Sequence, residues 1–215
     1  LGWSPAQLDG IDLGASVDSA RANLEATGRT NWSVRQADLE SFAAEGYDVV
    51  YSIGVLHHLK VPRRGFEALL RNVRPGGRFH GWVYAREGNA IIVFVVDPLR
   101  RIASRLPWWF TKYLLATPLV APYYVYAKAL AAAPRWSWLA ALPLYEYSLW
   151  IARREFAFFR HVAFDQLVTP QTTYLDRATI EEWLAHPAVE PASAYVIMRN
   201  GNSWKFGGRT RGEAG

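Results

Sequence analysis

Tyr47-Asp48-Val49-Val50-Tyr51-Ser52-Ile53-Gly54-Val55-Leu56-His57-His58-Leu59 is the stretch whose reading decides the fold. Asp48-Val49-Val50-Tyr51 is a short run rich in β-branched and aromatic residues, which reads as a buried strand. Ser52-Ile53-Gly54 stops the run with small residues, and Val55–Leu59 resumes it. In open α/β sheets, ligands sit outside the carboxyl ends of the strands. Ser52, Ile53 and Gly54 are thereby placed where a cofactor lies, with two imidazoles just beyond.

Working upstream, Leu8–Leu13 reads as a strand that ends at Asp12, with Gly14 permitting the turn. Ala15–Gly28 has helical composition. Val17, Ala20 and Leu24 form its apolar stripe, and Gly28 is its C-terminal stop. Trp32–Ala37 is a second short strand followed by Asp38-Leu39. A carboxylate at the end of a strand can accept both hydroxyls of a nucleoside ribose, which suits Asp12. Asp38 can accept from an adenine amino group. Taken singly, each Asp is an ordinary turn or cap residue. Their joint position after successive strands is what points to binding. Working downstream, Val61–Arg74 reads as a helix with Phe66, Leu69, Leu70 and Val73 on one face and Pro62 in its first turn. Pro75-Gly76-Gly77 ends it with a turn, and Arg78–Ala85 resumes as a strand.

The chain has 215 residues, enough for one domain or one domain with a large insertion. Cysteine is absent, which excludes a disulfide framework and a thiolate metal site and suits the cytosol. The net charge of +5 allows nucleic acid or an anionic membrane as a partner. Most of the ten Trp, eleven Tyr and ten Phe fall after residue 80. They concentrate in residues 86–164, where prolines at 107, 118, 122, 134 and 143 are expected to cut the segment into short helices. Three readings compete for this segment. It is a cap burying its aromatics on the core, or a cap that also forms a hydrophobic pocket and rests on a membrane surface, or a transmembrane span. Tyr113–Ala127 carries no charge, but a span needs roughly 20 apolar residues. Its basic residues are too sparse for a phosphate track, so nucleic acid is not expected as a partner.

Ile11-Asp12-Leu13, Gln36-Ala37-Asp38-Leu39, Tyr47–Ser52, Gly54–Leu59 and Leu70-Arg71-Asn72-Val73-Arg74-Pro75-Gly76-Gly77 come in order and at suitable spacing. Together they resemble the class I S-adenosylmethionine-dependent methyltransferases, in the type 11 and 12 branch related to the quinone-biosynthesis enzymes. The resemblance covers about residues 8–84 and implies a Rossmann-like α/β sheet with S-adenosylmethionine as cofactor. It implies that Asp12 and Leu13 hold the ribose side, Asp38 and Leu39 the adenine, and Ser52, Ile53 and Gly54 the methionine side. The family carries a glycine-rich loop after its first strand, upstream of the segment matching Leu8–Leu13, and this chain shows none. Leu1–Ala6 reads as the end of the helix that follows that loop. The expectation is therefore an N-terminal fragment without the first strand, the loop and most of one helix.

A lone histidine more often caps a short helix than does chemistry. The alternative is a base beside the transferred methyl, since a neutral imidazole can take a proton from a hydroxyl at neutral pH. In related O-methyltransferases a histidine stands where His58 does, which favours His58 over His57. Adjacent histidines do not point the same way on a helix or a strand, so no metal site is expected.

Near the C-terminus, Asp176 or Thr179 caps a helix running to about His186. Ser193–Met198 and Ser203–Phe206 read as strands joined through Asn200-Gly201, a hairpin signal. In the resembling family the polar connection Thr169–Tyr174 faces the acceptor, which makes Gln171 and Tyr174 expected substrate contacts. The tail from Gly207 is expected to fray. The resulting division is a cofactor-binding core over residues 1–85, an aromatic helical cap over 86–164, and a helix with antiparallel strands over 165–215. The functional expectation is methyl transfer to a small hydrophobic acceptor, at oxygen or carbon, by a cytosolic protein that can touch the membrane surface. The alternative is a non-catalytic membrane-peripheral scaffold that keeps a remnant of the fold.

Overall fold

The computed structural model describes residues 5–212 except for residues 45, 91, 104, 134, 135, 143 and 170. The chain is mixed α/β, with strands at both ends and helices between. β1 (Leu8–Asp12), α1 (Ser16–Glu25) and β2 (Trp32–Gln36) come first, and β1 pairs with β2 in parallel. β3 (Tyr47–Ile53), a 3-10 turn (Leu56–His58), α2 (Pro62–Arg71) and β4 (Val73–Tyr84) follow, with β3 and β4 parallel. After the cap come α7 (Arg177–Leu184), β5 (Tyr195–Arg199) and β6 (Ser203–Arg209). The second sheet has the order β3-β4-β6-β5, with β6 antiparallel to both neighbours.

Among the described residues β1-β2 is a sheet of its own, so β1 and β3 each keep an unpaired edge. Asp9 links the two sheets at their starts. Its carboxylate accepts from Ser33 Oγ at 2.6 Å and from Tyr47 Oη at 2.8 Å. Hydrogen bonds from Ser33 first, then Gln7 and Tyr47, hold the Asp9 carboxyl below the usual carboxylate range.

β4 has two different faces. Phe79, Gly81 and Val83 are buried, while His80, Trp82 and Tyr84 alternate with them on the other side and are half-buried. The buried face meets α2 and α7. Phe66 of α2 stacks on Trp183 of α7 at 5.5 Å and meets Phe79 edge-on at 5.8 Å. Phe206 of β6 joins this cluster, beside Leu56, Leu69, Val83 and Ile180. The cap packs on itself in two further clusters, one around Val120, Ile151 and Phe159 and one around Ala103, Ala116 and Leu167.

Several expectations need correction. Pro118 and Pro122 do not cut the cap. A π-helical segment (Phe110–Ala116) runs directly into α4 (Thr117–Ala132), with Pro118 in its first turn and Pro122 inside it. Each proline withholds one N–H from the helical ladder, and the helix continues through both. Pro134 and Pro143 lie outside the described residues. The remaining cap elements are α3 (Asp97–Ala103), a π turn (Ile92–Val96), a 3-10 turn (Ser137–Ala141), α5 (Tyr145–Ala152) and α6 (Phe156–Val168). No helix among the described residues is long and apolar enough to cross a membrane.

Pro75-Gly76-Gly77 does not separate helix from strand. It is an irregularity inside β4, where pairing to β3 shifts between Tyr47 and Val49. Pro5 and Ala6 are not helical, and residues 1–4 lie outside the described residues. The tail does not fray from Gly207. Gly207 and Gly208 are buried in β6, and Thr210 bridges back to Val189. A Cβ on Gly207 would meet Phe79 O at 2.5 Å and Tyr195 Oη at 2.6 Å, so glycine is what lets β6 lie this close. Residues 213–215 lie outside the described residues. The hairpin stands as read, with Asn200 at φ 51° and Gly201 at φ 66°, and Asp176 caps α7 by accepting from Thr179 N at 2.8 Å.

The contact of β4 with β6 is equally tight at Gly81, where a Cβ would fall within the ring of Phe206. Gly81→Ala should cost about 1–3 kcal/mol by overpacking, read as a lower urea midpoint. Gly10→Ala, whose nearest neighbour would be Val34 at an ordinary 3.5 Å, should cost less than half as much. Equal effects would show that the β4–β6 contact is not the constraint described.

Candidate functional site

β3 ends at Ile53, and the chain turns at Gly54, which sits at φ 78° with its N–H donating to Trp82 O at 3.1 Å. Glycine adopts that left-handed conformation without the cost a side chain would carry. The turn feeds the 3-10 segment that carries both histidines. His57 is completely buried. Its ring packs on Tyr84 at 4.4 Å, on His58 at 4.1 Å and edge-on to Trp82 at 6.0 Å. Both of its ring nitrogens lack a hydrogen-bond partner, as do the buried Ser52 Oγ and Trp82 Nε1. An orphaned buried polar atom costs about 1–3 kcal/mol. Ser52 and Ile53 stand opposite Gly81 and Trp82 in the β3–β4 register, so these orphans gather at one corner of the sheet.

Burial, with smaller contributions from His58 and Arg100, pushes the His57 pKa down to about 3. His58 is less buried, and its pKa is lowered chiefly by burial, against a hydrogen bond to Gln171. Its Nδ1 lies 2.9 Å from Gln171 O and 3.2 Å from Thr172 Oγ1. A carbonyl only accepts, so Nδ1 carries the proton and Nε2 keeps a lone pair. Thr173 N donates to His57 O at 2.8 Å, and Gln171 Nε2 donates to Leu59 O at 3.3 Å. The segment 171–174 is thus laced onto the histidine turn.

The structure brings His57, His58, Gln171, Thr172 and Tyr174 together. Gln171 is exposed and holds His58, whereas Tyr174 lines a cavity of about 300 Å³. That cavity lies between the ends of β3 and β4, the hairpin 199–203 and helices α5 and α6 of the cap. Asp12 and Leu13 lie on the separate two-stranded sheet. Asp12 Oδ1 accepts from Gly14 N at 2.7 Å, and Leu13 is 68% exposed. Asp38 Oδ1 accepts from Glu40 N at 2.9 Å, while Leu39 packs against the core. Each carboxylate makes the turn expected of Asp and keeps Oδ2 without a hydrogen bond among the described residues.

The sequence reading missed Trp82, Tyr84, Tyr147, Trp150 and Gln166, all of which line the cavity. The period-two pattern of β4 carried the signal for Trp82 and Tyr84. Nothing local marks the others. Arg100, which is 4% exposed, was also missed as a site residue. It donates to Gln166 O at 2.6 Å and to Gln166 Oε1 at 3.1 Å. Among the described residues no group of three His, Cys, Asp or Glu could hold a metal.

Residues 3–79 match the family described as "Methyltransferase domain". The matched segment, from β1 into β4, is similar to a methyltransferase domain, and the mixed α/β fold with its central sheet is of the Rossmann-like kind. The solved structure of PKMT2 from Rickettsia typhi is similar, with TM-score 0.54 and 10% identity over 94% of this chain and 43% of that one. The same protein in complex with AdoHcy gives TM-score 0.50 at 12% identity, over 90% of this chain and 35% of that one. A possible exported protein from Bordetella parapertussis gives TM-score 0.52 at 15% identity, over 95% and 53%. A Synechococcus protein, syc1184_c, is 48% identical over 46 residues, which is 21% of this chain and 11% of that protein. The chain thus spans about half the length, or less, of these solved structures.

The buried histidine makes a prediction about pH. Unfolded, His57 binds a proton below its ordinary value of 6.5. Folded, it does so only near 3. Between those values the unfolded state holds the extra proton, so stability rises with pH there and is level above. The slope should be about 1.4 kcal/mol per pH unit from His57 alone. His57→Leu should flatten it by that amount in urea titrations run from pH 4 to 7. An unchanged slope would mean that His57 is solvated.

Proposed function

We propose that this chain is the core and cap of an enzyme that transfers a methyl group from S-adenosylmethionine to a small hydrophobic acceptor, at oxygen. The observation that carries this is the corner where Ser52, His57, His58 and Trp82 meet at the carboxyl ends of β3 and β4. The residues present fit the cofactor. Asp12 and Asp38 each offer a free Oδ2 to hydroxyl or amino groups, Ser52 has an unpaired buried hydroxyl, and Gly54 leaves its backbone open to close approach. Bound there, S-adenosylmethionine supplies an activated methyl on a sulfonium sulfur. The protein's part is then to align the acceptor, exclude water and take one proton.

His58 suits the proton. Its Nδ1–H is held by Gln171 and Thr172, burial keeps it neutral at pH 7, and Nε2 is the basic atom. His57, with a pKa near 3, is too weak a base at neutral pH. Leu13, Leu39 and Ile53 supply apolar contact beside the polar groups. Tyr174 faces the acceptor, and Gln171 acts through His58. The division at residues 85 and 164 is supported by the separate core and cap clusters, with the last cap helix continuing to Val168.

Calorimetric titration of S-adenosylmethionine and S-adenosylhomocysteine into this chain, and into a version extended upstream, tests the cofactor. Binding at micromolar Kd in the folded extended form, weakened about tenfold (1.4 kcal/mol) by Asp12→Ala, is expected. No binding to that form sinks the proposal. With an acceptor in hand, His58→Gln should lower kcat by about 10²-fold or more while leaving the cofactor Kd unchanged.

Contact with an anionic membrane is a second part of the proposal. Residues 86–164 hold ten Lys and Arg against four Asp and Glu, more than the whole excess of the chain. Trp108, Trp109, Tyr113 and Leu114 are exposed there, with the Arg160 guanidinium 4.9 Å from the Tyr113 ring. Aromatic and basic side chains together suit the bilayer interface. Co-sedimentation with vesicles containing phosphatidylserine should exceed that with pure phosphatidylcholine. Trp108→Ser/Trp109→Ser should reduce it severalfold. Equal partition between the two vesicle types would refute the membrane reading.

A further inference from the structure

The cavity between β4 and the cap has an aromatic body and a polar end. Trp82 and Tyr84 come from β4, Tyr147 and Trp150 from α5, and Tyr174 from the segment after α6. Tyr84 stacks on Tyr174 at 5.9 Å, and Trp82 meets Tyr84 edge-on at 5.2 Å. Aromatic walls of this kind favour a flat partner that offers a face or an edge to each ring. A volume of about 300 Å³ is at the small end for ligand sites.

The polar end is oriented before any ligand arrives. Gln166 Oε1 accepts from the buried Arg100 at 3.1 Å and from Tyr174 Oη at 3.2 Å. With its oxygen doubly engaged, Gln166 is left with its amide nitrogen to give, on the side of the cavity where Tyr84 also stands. Tyr84 lines the cavity, and its hydroxyl has a proton to donate to a ligand. Burial pushes its pKa up to about 12, so it stays protonated through the neutral range. Among the described residues no Asp or Glu lines the cavity, and the one charged lining residue is Arg199. An ammonium group would meet no carboxylate in the lining itself and would face the guanidinium of Arg199.

We propose that this cavity binds a planar aromatic molecule bearing an oxygen substituent, a phenol-class ligand, with its rings among Trp82, Tyr147 and Trp150 and its oxygen on the Tyr84 hydroxyl. The binding claim stands on the cavity alone. Making this ligand the methyl acceptor rests on the function proposed above. In that role Tyr84 and Gln166 set which acceptor is taken, and the saturated and cationic alternatives are rejected by shape and by charge.

The test is titration of the full chain, without cofactor, by 2-naphthol, naphthalene, 2-decalol and 2-naphthylmethylammonium. 2-Naphthol should bind about tenfold more tightly than 2-decalol or the ammonium. Tyr84→Phe keeps the ring and removes only the hydroxyl. It should weaken 2-naphthol about fivefold, as the loss of one hydrogen bond does, and leave naphthalene unchanged. Tyr147→Leu should weaken naphthol and naphthalene alike. Equal binding of 2-decalol or the ammonium, or an insensitivity of 2-naphthol to both substitutions, overturns the inference. So does competitive displacement of 2-naphthol by S-adenosylhomocysteine, which would make the cavity part of the cofactor site. Naphthol binding in a folded, extended chain that ignores S-adenosylmethionine would sink the methyltransferase reading and leave this one standing. The reverse result would do the opposite.

Discussion

The structure depends on the two-sidedness of β4. Phe79 and Val83 point into the packing between α2, α7 and Phe206, while Trp82 and Tyr84 point the other way, toward His57 and the cap. Because side chains alternate along a strand, the residues that stabilise the sheet and the residues that build the site are locked in one register. Slipping β4 by one residue would bury Trp82 and Tyr84 in the core and bring Phe79 and Val83 to the cavity. The close approach of β6 at Gly81 and Gly207 holds that register, since neither position has room for a side chain.

That arrangement explains why the histidine turn is costly and why it is held. Four buried polar atoms without partners sit behind β4's second face, a burden the nearby aromatic core offsets. The segment 171–174 braces the turn through hydrogen bonds to His57, His58 and Leu59. A site built from strained or unsatisfied groups needs such a surround to persist, and the groups then become available to a ligand. The cap completes the enclosure, with Arg100 of α3 organising Gln166 of α6 and Tyr174 beyond it.

How much of this was legible varied by element. The strand end at Asp12, the turn at Gly54, the Asp176 cap and the Asn200-Gly201 hairpin were all readable, because each rests on residues within a few positions of one another, although β3 runs on through Ser52 and Ile53, which were read as the turn. The prolines of the cap misled, because a continuous helical run passes through Pro118 and Pro122 with the loss of a single N–H at each. The glycines at 207 and 208 misled in another way. They suggested a loose tail, whereas their lack of a side chain is what admits β6 beside β4.

By itself, the sequence determined the order of strands and turns, the pairing of carboxylates with strand ends, and the resemblance of the segment from β1 into β4 to a methyltransferase domain. These are properties of local pattern, set by backbone preference and by alternation over a few residues. Only the tertiary structure decided which of the two histidines keeps a usable lone pair, since that follows from a carbonyl at Gln171 more than a hundred positions away. It alone assembled Tyr84, Tyr147, Trp150 and Gln166 around one cavity. Their spacing along the chain carries no period, because what brings them together is the packing of a cap across the end of a sheet.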